Sequence, residues 1–388
     1  MQANKPRIVL NMTTLNQGGV LQRAVSFINH LDTVLNDFDW HLLLSETVDF
    51  QLKATNTNTS KPITVFETSP AKNTRSRAEI TAEIKEVNPQ MVFTFAGPSY
   101  LRQPFPELMG IADGWVTHAD KQAFGSIPNL RNRWGLRFAS FYKLKWFATA
   151  SHYTVQTEFA RQGLATRAKV DLSKIHIIPN ALANWYREIE SHPTELEVGQ
   201  TLKILYFAAA YSHKRHDILP QVCLELEKLG LDNFEFVITL PTDNAITKAV
   251  ETKAKDLGVT QRIRNMGPLP VIEGVRLYQE CHVCFVPTAL ETFSATYLEG
   301  MATQTPIVTS DRNFATEICG EGALYFELAN PRAAAERIFD IVNNEDIRKQ
   351  LTTRGSKQLE TFPNVAEQMQ LYKQTLSKLL ASEDFPPA

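Results

Sequence analysis

Short apolar runs alternate with amphipathic helical stretches along this chain, in two successive series. That alternation is the pattern of parallel sheets with helices packed against them. In the first series RIVLNM, HLLLS, ITVFE, MVFTFA, GWVTHA, WFATAS and IHIIPN read as strands or strand ends, with helices at LQRAVSFINHLD, AEITAEIKEV and TEFARQGL. The second series has LKILYFAAA, FEFVITL, IRNMG, CHVCFVP, PIVTS and ALYFE as strands. Its helices are ILPQVCLELEKLG, ITKAVETKAKDLG, VIEGVRLYQE and AAAERIFDIVNN. The polar interval 182–202, without a sustained period, reads as the linker between the series. A chain of 388 residues is too long for one ordinary core and suits two domains of about 150–200 residues. The expected division is 1–182 and 183–363, followed by an amphipathic helix, VAEQMQLYKQTLSKLL, within 364–388. Doubly wound sheets bind ligands outside the carboxyl ends of their strands, so the chemistry is expected in a cleft between the two domains.

Composition narrows the class. No stretch of about 18 apolar residues is present, which speaks against a transmembrane helix. MQANKPRIVLNM lacks the apolar core and cleavage site of a signal peptide. Four cysteines give no disulfide framework and fit a reducing compartment. A cytoplasmic protein is therefore expected. The net charge of −2 argues against a general nucleic-acid binder. The charge is nonetheless uneven: residues 1–182 hold 20 Lys and Arg against 14 Asp and Glu, while the remainder holds 20 against 28. Such asymmetry fits an anionic or membrane-surface partner for the basic half, or ordinary variation of the surface.

The densest chemistry lies at 285–310, FVPTALETFSATYLEGMATQTPIVTS. TFSATYLEGMAT reads as a short helix between two strands, with Ser294, Ala295 and Thr296 near its start. A helix N-terminus offers unpaired N–H groups and the positive end of a dipole, which suits a phosphate. Glu299 falls about one turn into this helix and Glu291 on the loop before it. One carboxylate is then placed for sugar hydroxyls and the other for ribose hydroxyls, with a diphosphate between.

Other signals are weaker alone. Gly18 and Gly19 precede a helix in RIVLNMTTLNQGGVLQRAV, where backbone can approach a ligand closely, although such a turn also serves structure. The pair is neither a GxGxxG fingerprint nor a Walker P-loop, and Arg23 on the same helix points to ligand or to solvent. His118, in GWVTHAD, follows a strand-like run, where it either meets a sugar hydroxyl or is structural. His213, Lys214, Arg215 and His216 follow the first strand of the second series, as a diphosphate site or as a solvated basic loop. Cys281, His282 and Cys284 resemble half of a zinc site with no matching second half, so the cysteines read as small buried residues and no metal is expected. In 131–147, RNRWGLRFASFYKLKWF, basic residues interleave with aromatic ones. As a helix it either rests on an anionic membrane surface or packs an apolar face on the core.

Taken in order, the glycine pair, His118, the IPN at 178–180, the HKR at 213–215 and the E-x7-E of ETFSATYLE resemble the retaining glycosyltransferases of family four. The run GMATQTPIVTSD that follows strengthens the match. The resemblance spans nearly the whole chain, and GPSYLRQPFPELMGIADGWVTH is similar to bacterial members that build surface polysaccharide. It implies an α/β fold of the GT-B type, two doubly wound Rossmann-like domains facing an interdomain cleft, with the C-terminal helix crossing back to the first domain. It further implies metal-independent transfer of a sugar from a UDP- or GDP-linked donor to a saccharide or lipid-linked acceptor, with retained anomeric configuration. Acceptor attack on the face that the phosphate leaves is the route so implied, the departing phosphate helping to take the proton.

By position, Lys214 matches the lysine on the diphosphate, with the amides of Ser294, Ala295 and Thr296 completing the cradle. Glu299 matches the ribose carboxylate, and Glu291 the one facing the transferred sugar. His118 matches the histidine beside that sugar. Gly18 and Gly19 border the donor phosphates and the acceptor, and Gly267 and Leu269 lie where family members contact the base. Asn180 falls at the hinge.

Three positions depart from the pattern. Ala209 stands where the family has an arginine, which leaves phosphate neutralisation to Arg215 or His213. Ser294 and Ala181 replace glycines. Two other readings stay open, a nucleotide-sugar-binding protein without turnover and a synthase of the same fold acting on a small soluble acceptor. The expected setting is the cytoplasm, with peripheral contact at the inner face of the membrane through 131–147.

Overall fold

The computed structural model describes residues 5–385, apart from 17, 190–193, 195, 196 and 198. It divides into two compact units. The first comprises Met1–His118, Gly135–Pro179 and Val365–Ala388, and the second Ala119–Trp134 and Asn180–Asn364. The stretch Ala119–Trp134 thus groups with the second unit although first-unit residues flank it in sequence. The interval 182–202 lies partly outside the described residues.

In the first unit seven strands run parallel: β1 Arg7–Met12, β2 Asp39–Ser45, β3 Ile63–Phe66, β4 Met91–Thr94, β5 Glu107–Gly110, β6 His152–Val155 and β7 Ile175–Ile177. Their order is β3-β2-β1-β4-β5-β6-β7. A parallel sheet is covered by helices on both faces, so its strands are apolar at successive positions rather than alternating. In β1 residues Ile8–Met12 are accordingly all buried. Ile8, Leu10 and Met12 join one core with Phe27, Trp40 and Phe93. Val9 turns to the other face, beside Ile80 and Ile84. The C-terminal helix Val365–Leu380 adds Met369, Tyr372, Leu376 and Leu379 to the first of these cores. The Tyr372 ring meets Phe27 edge-on at 5.1 Å.

The second unit repeats the plan with β8 Leu202–Tyr206, β9 Phe234–Ile238, β10 Ile263–Asn265, β11 Val283–Val286, β12 Ile307–Ser310 and β13 Ala323–Phe326. Its order is β10-β9-β8-β11-β12-β13, again parallel throughout. Phe285 stacks on Phe326 at 5.5 Å and meets Phe236 at 5.6 Å, which packs the middle of this sheet.

Two strands expected from sequence are not strands. GWVTHA contains the short helix Gly114–Thr117, started by the Asp113 side chain accepting from the Trp115 N–H at 3.0 Å. His118 therefore ends a helical turn and does not sit on a strand end. WFATAS is the end of helix Leu130–Phe147 and the turn after it. The strands in those places are β5 and β6. β5 opens on an acidic residue, which hides its apolar character in sequence. Glu107 is nevertheless buried, accepts from the Thr94 hydroxyl at 2.5 Å, and is pushed by burial up to about 7.

Candidate functional site

Strands β8 and β11 are neighbours, yet the chain leaves β8 toward β9 on one side and β11 toward β12 on the other. The order reverses between them, and a doubly wound sheet opens a ligand crevice at the carboxyl ends of such a pair. Two segments occupy that position. After β8 comes the tight turn Ser212–Lys214, and after β11 the loop carrying Glu291 into helix Ala295–Ala302.

Hydrogen bonds join these loops. The Ala289 N–H and the Thr288 hydroxyl both donate to the His213 carbonyl, at 2.7 and 3.1 Å. The Tyr206 hydroxyl donates to the Lys214 carbonyl at 2.5 Å. On this frame the Lys214 ammonium is hydrogen-bonded to a carboxylate oxygen of Glu291, with side chains only 15% and 13% exposed. Beneath the turn His216 is buried and stacks on Tyr206 at 4.4 Å. Burial, with Lys214 and His213 close by, holds His216 down to about 3, so it packs as a neutral ring.

Helix Ala295–Ala302 begins at Ser294, whose side chain makes no capping hydrogen bond. The first N–H groups of the helix stay available to an anion, reinforced by the helix dipole. Glu299 lies just over a turn along. It is almost fully buried and accepts from the Tyr278 hydroxyl at 3.0 Å. Burial raises its carboxyl up to about 7, against the opposing effects of the Tyr278 hydrogen bond and the Lys214 charge. One patch thus combines a cation, an open helix end and two carboxyl groups in unlike states: Glu291 ion-paired, Glu299 desolvated.

The structure brings together Lys214, Glu291, Ser294, Ala295, Thr296 and Glu299. Arg215 instead forms a two-pronged ion pair with Asp217 at 2.9 and 3.0 Å. It adopts a left-handed backbone, φ 59°. Gly267 is also left-handed, φ 74°. Its N–H donates to Asn265, whose side chain also exchanges hydrogen bonds with the Leu240 backbone, which fixes the loop before the half-buried Leu269.

In the first unit, Gly18 precedes helix Gly19–Ile28 with φ 80° and ψ −176°, a conformation open essentially to glycine alone. Arg23, on that helix, is held below its ordinary pKa by burial. His118 is buried, hydrogen-bonded to the Thr117 hydroxyl at 2.8 Å and packed on Phe159 at 4.6 Å. Helix Glu158–Ala168 reaches this turn only because residue 163 is glycine: a Cβ there would lie 2.4 Å from the Thr117 carbonyl.

Cys281 and Cys284 are buried, and burial pushes the Cys281 thiol up to about 12. Among the described residues no group of three or more His, Cys, Asp or Glu is arranged to hold a metal ion. The Asp37–Phe38–Asp39 run is ion-paired at the amino end of β2, to Lys373 at 2.6 Å and Arg7 at 3.0 Å.

Sequence reasoning missed Tyr206 and Tyr278, and His216, placed by it on a diphosphate site or a solvated loop, is instead buried against Tyr206. Tyr206 and Tyr278 read as apolar filling of a strand and a helix, and their hydroxyls bond outside those elements, to the Lys214 carbonyl and the Glu299 carboxyl.

Residues 188–358 match the family profile of the glycosyl transferases group 1. The D-inositol 3-phosphate glycosyltransferase of Corynebacterium urealyticum is 31% identical over 103 residues, 26% of this chain and 24% of that one. The matched segment thus spans about a quarter of that curated relative. Over both units the fold is similar to that of a Rickettsia africae glycosyltransferase, with TM-score 0.73, 16% identity, and 98% of this chain and 100% of the other covered. It is equally similar to Anabaena Alr3699/HepE, crystallised with UDP and glucose, with TM-score 0.73, 15% identity and 96% and 100% coverage. The fold is that of a GT-B protein with two Rossmann-like units. The group 1 glycosyl transferase match lies within the second unit, and the chain is similar to GT4-like glycosyltransferases.

Proposed function

We propose that this protein transfers a sugar from a nucleotide-diphosphate sugar to a saccharide or lipid-linked acceptor, with retained anomeric configuration and without a divalent metal. The observation that carries the reading is the Lys214–Glu291 pair at the β8/β11 switch point, beside the open end of helix Ala295–Ala302. Lys214 and the N–H groups of Ser294, Ala295 and Thr296 hold the diphosphate and stabilise the charge it gains on leaving. Glu299 takes the ribose hydroxyls, Glu291 faces the transferred sugar, and the backbone at Gly267 and Leu269 meets the base. The roles of His118, Gly18 and Gly19 rest on the family resemblance alone.

The chemistry balances without a protein nucleophile. The bond from the anomeric carbon to the phosphate oxygen breaks, the acceptor oxygen bonds to that carbon on the same face, and the acceptor proton goes to the departing phosphate. A UDP-linked donor is supported by the UDP and glucose held by the Anabaena neighbour. A role in bacterial surface polysaccharide synthesis is supported by the segment 97–118, and a cytoplasmic setting by the cysteine usage. Ala209, in place of the family's arginine, favours a second reading, donor binding without turnover.

The test is a thermal-shift screen of UDP, GDP and their sugars, followed by transfer assays with the donor that stabilises most. NMR of the product sets the anomeric outcome. An inverted product refutes the retaining mechanism. A bound donor that is neither transferred nor slowly hydrolysed establishes the second reading.

A further inference from the structure

Helix Leu130–Phe147 has an unusual outward face. Over its eighteen residues only Ser140 and Phe147 are buried. Phe138, Phe141, Tyr142 and Lys145 stand at helical spacing i, i+3, i+4 and i+7, which places them on one face. That face is turned to solvent, with Phe138 71%, Phe141 58% and Tyr142 47% exposed. Farther up the same helix Leu130 and Trp134 are exposed as well. A helix normally turns its apolar stripe to the core and its charges outward. Here the stripe points outward, and neighbouring large exposed apolar groups mark an interaction surface.

Charge identifies the occupant. From 121 to 157 the chain contains no Asp or Glu, but it contains Lys121, Arg131, Arg133, Arg137, Lys143 and Lys145. The Lys145 ammonium lies 4.9 Å from the centre of the Phe141 ring. Arg77 and Arg102 lie over Trp146 at 5.0 and 5.7 Å, and Tyr142 stacks on Tyr100 at 6.2 Å. The acidic group facing this surface, Asp113, is taken up by Lys143 at 2.7 Å. A second copy of the chain would set this basic helix against its own charges across an isologous contact. An anionic bilayer answers both features at once, taking the rings at headgroup depth and the cations at the phosphate plane.

We propose that helix Leu130–Phe147 docks the protein on an anionic lipid surface, with Phe138, Phe141 and Tyr142 entering the interface and Arg131 and Lys145 on the headgroups. The proposal is independent of the transfer reaction, because its readout is binding to vesicles without donor or acceptor.

The full chain is sedimented with vesicles of phosphatidylcholine alone and with about 30% phosphatidylglycerol, at low and at physiological salt. Binding is expected only to the anionic vesicles and is weakened by salt. The F138S/F141S pair should lower partitioning more than tenfold, and R131E/K145E by at least about fivefold per charge removed. All four side chains are exposed, so the melting temperature of each variant should match the parent and exclude misfolding as the cause. No binding to anionic vesicles, or equal binding by F138S/F141S, overturns the proposal. So does a concentration-dependent dimer that F138S/F141S abolishes in the absence of vesicle binding, since the occupant is then a second copy.

Discussion

The carboxyl of Glu299 makes the sharpest test of the nucleotide site. It is buried against Tyr278 and raised from 4.5 up to about 7. As ribose acceptor it must be ionised to accept hydrogen bonds from two hydroxyls. With a pKa near 7, about one molecule in eleven carries the charge at pH 6 and about ten in eleven at pH 8. Affinity for a nucleotide sugar should therefore rise about tenfold between those limits. The assay is titration calorimetry with UDP-glucose, whose diester phosphates do not titrate in this range, on the parent and on Glu299→Gln. Glutamine cannot ionise, so the variant should bind weakly and without that slope. Tyr278→Phe removes the donor that lowers the Glu299 pKa, so the rise should move to higher pH. A flat parent profile, or the same slope in Glu299→Gln, refutes the assignment.

Stability carries the opposite sign. Because the folded pKa is raised, this group's contribution is fully present below about pH 4.5 and is lost as pH rises through about 7, with a ceiling near 3 kcal/mol. Donor affinity should thus improve over a range in which the ligand-free protein loses stability.

Lys214→Ala should lower kcat by about 10²–10³, as loss of a group stabilising the leaving charge does; near-normal transfer would sink the phosphate assignment. Glu291→Ala should abolish turnover while UDP still binds, measured by calorimetry beside a transfer assay. Gly163→Ala should lower stability by about 1–2 kcal/mol in denaturant titration, since the ~1 kcal/mol helix gain of alanine is outweighed by a Cβ 2.4 Å from a backbone carbonyl. Chelation with EDTA should leave transfer unchanged, and restoration of lost activity by added Mg²⁺ or Mn²⁺ would refute the metal-free reading.

Much of the fold was legible because parallel strands are buried on both faces and read as unbroken apolar runs: RIVLNM and LKILY announce β1 and β8. Two of the failures share one physical cause. β5 begins with Glu107, whose burial depends on Thr94 donating to it from β4, 13 residues away in sequence. GWVT is apolar enough for a strand, but the Asp113 cap starts a helix there instead. In both cases a hydrogen bond to one side chain outweighs the apolar pattern.

The site shows the same limit more strongly. ETFSATYLE could be placed on a loop and a helix start because its spacing is local. The partnership of Glu291 with Lys214 spans 77 residues and follows from strand order, which no local pattern encodes. It exists because β8 and β11 are adjacent, their loops joined by the Ala289 and Thr288 bonds to the His213 carbonyl. The same adjacency lets the Lys214 charge be felt at Glu299. Arg215 shows the converse: close to Lys214 in sequence, it is bound by Asp217 two residues on. Sequence proximity to a site therefore says little here, whereas the order of strands in the sheet decides which charges meet.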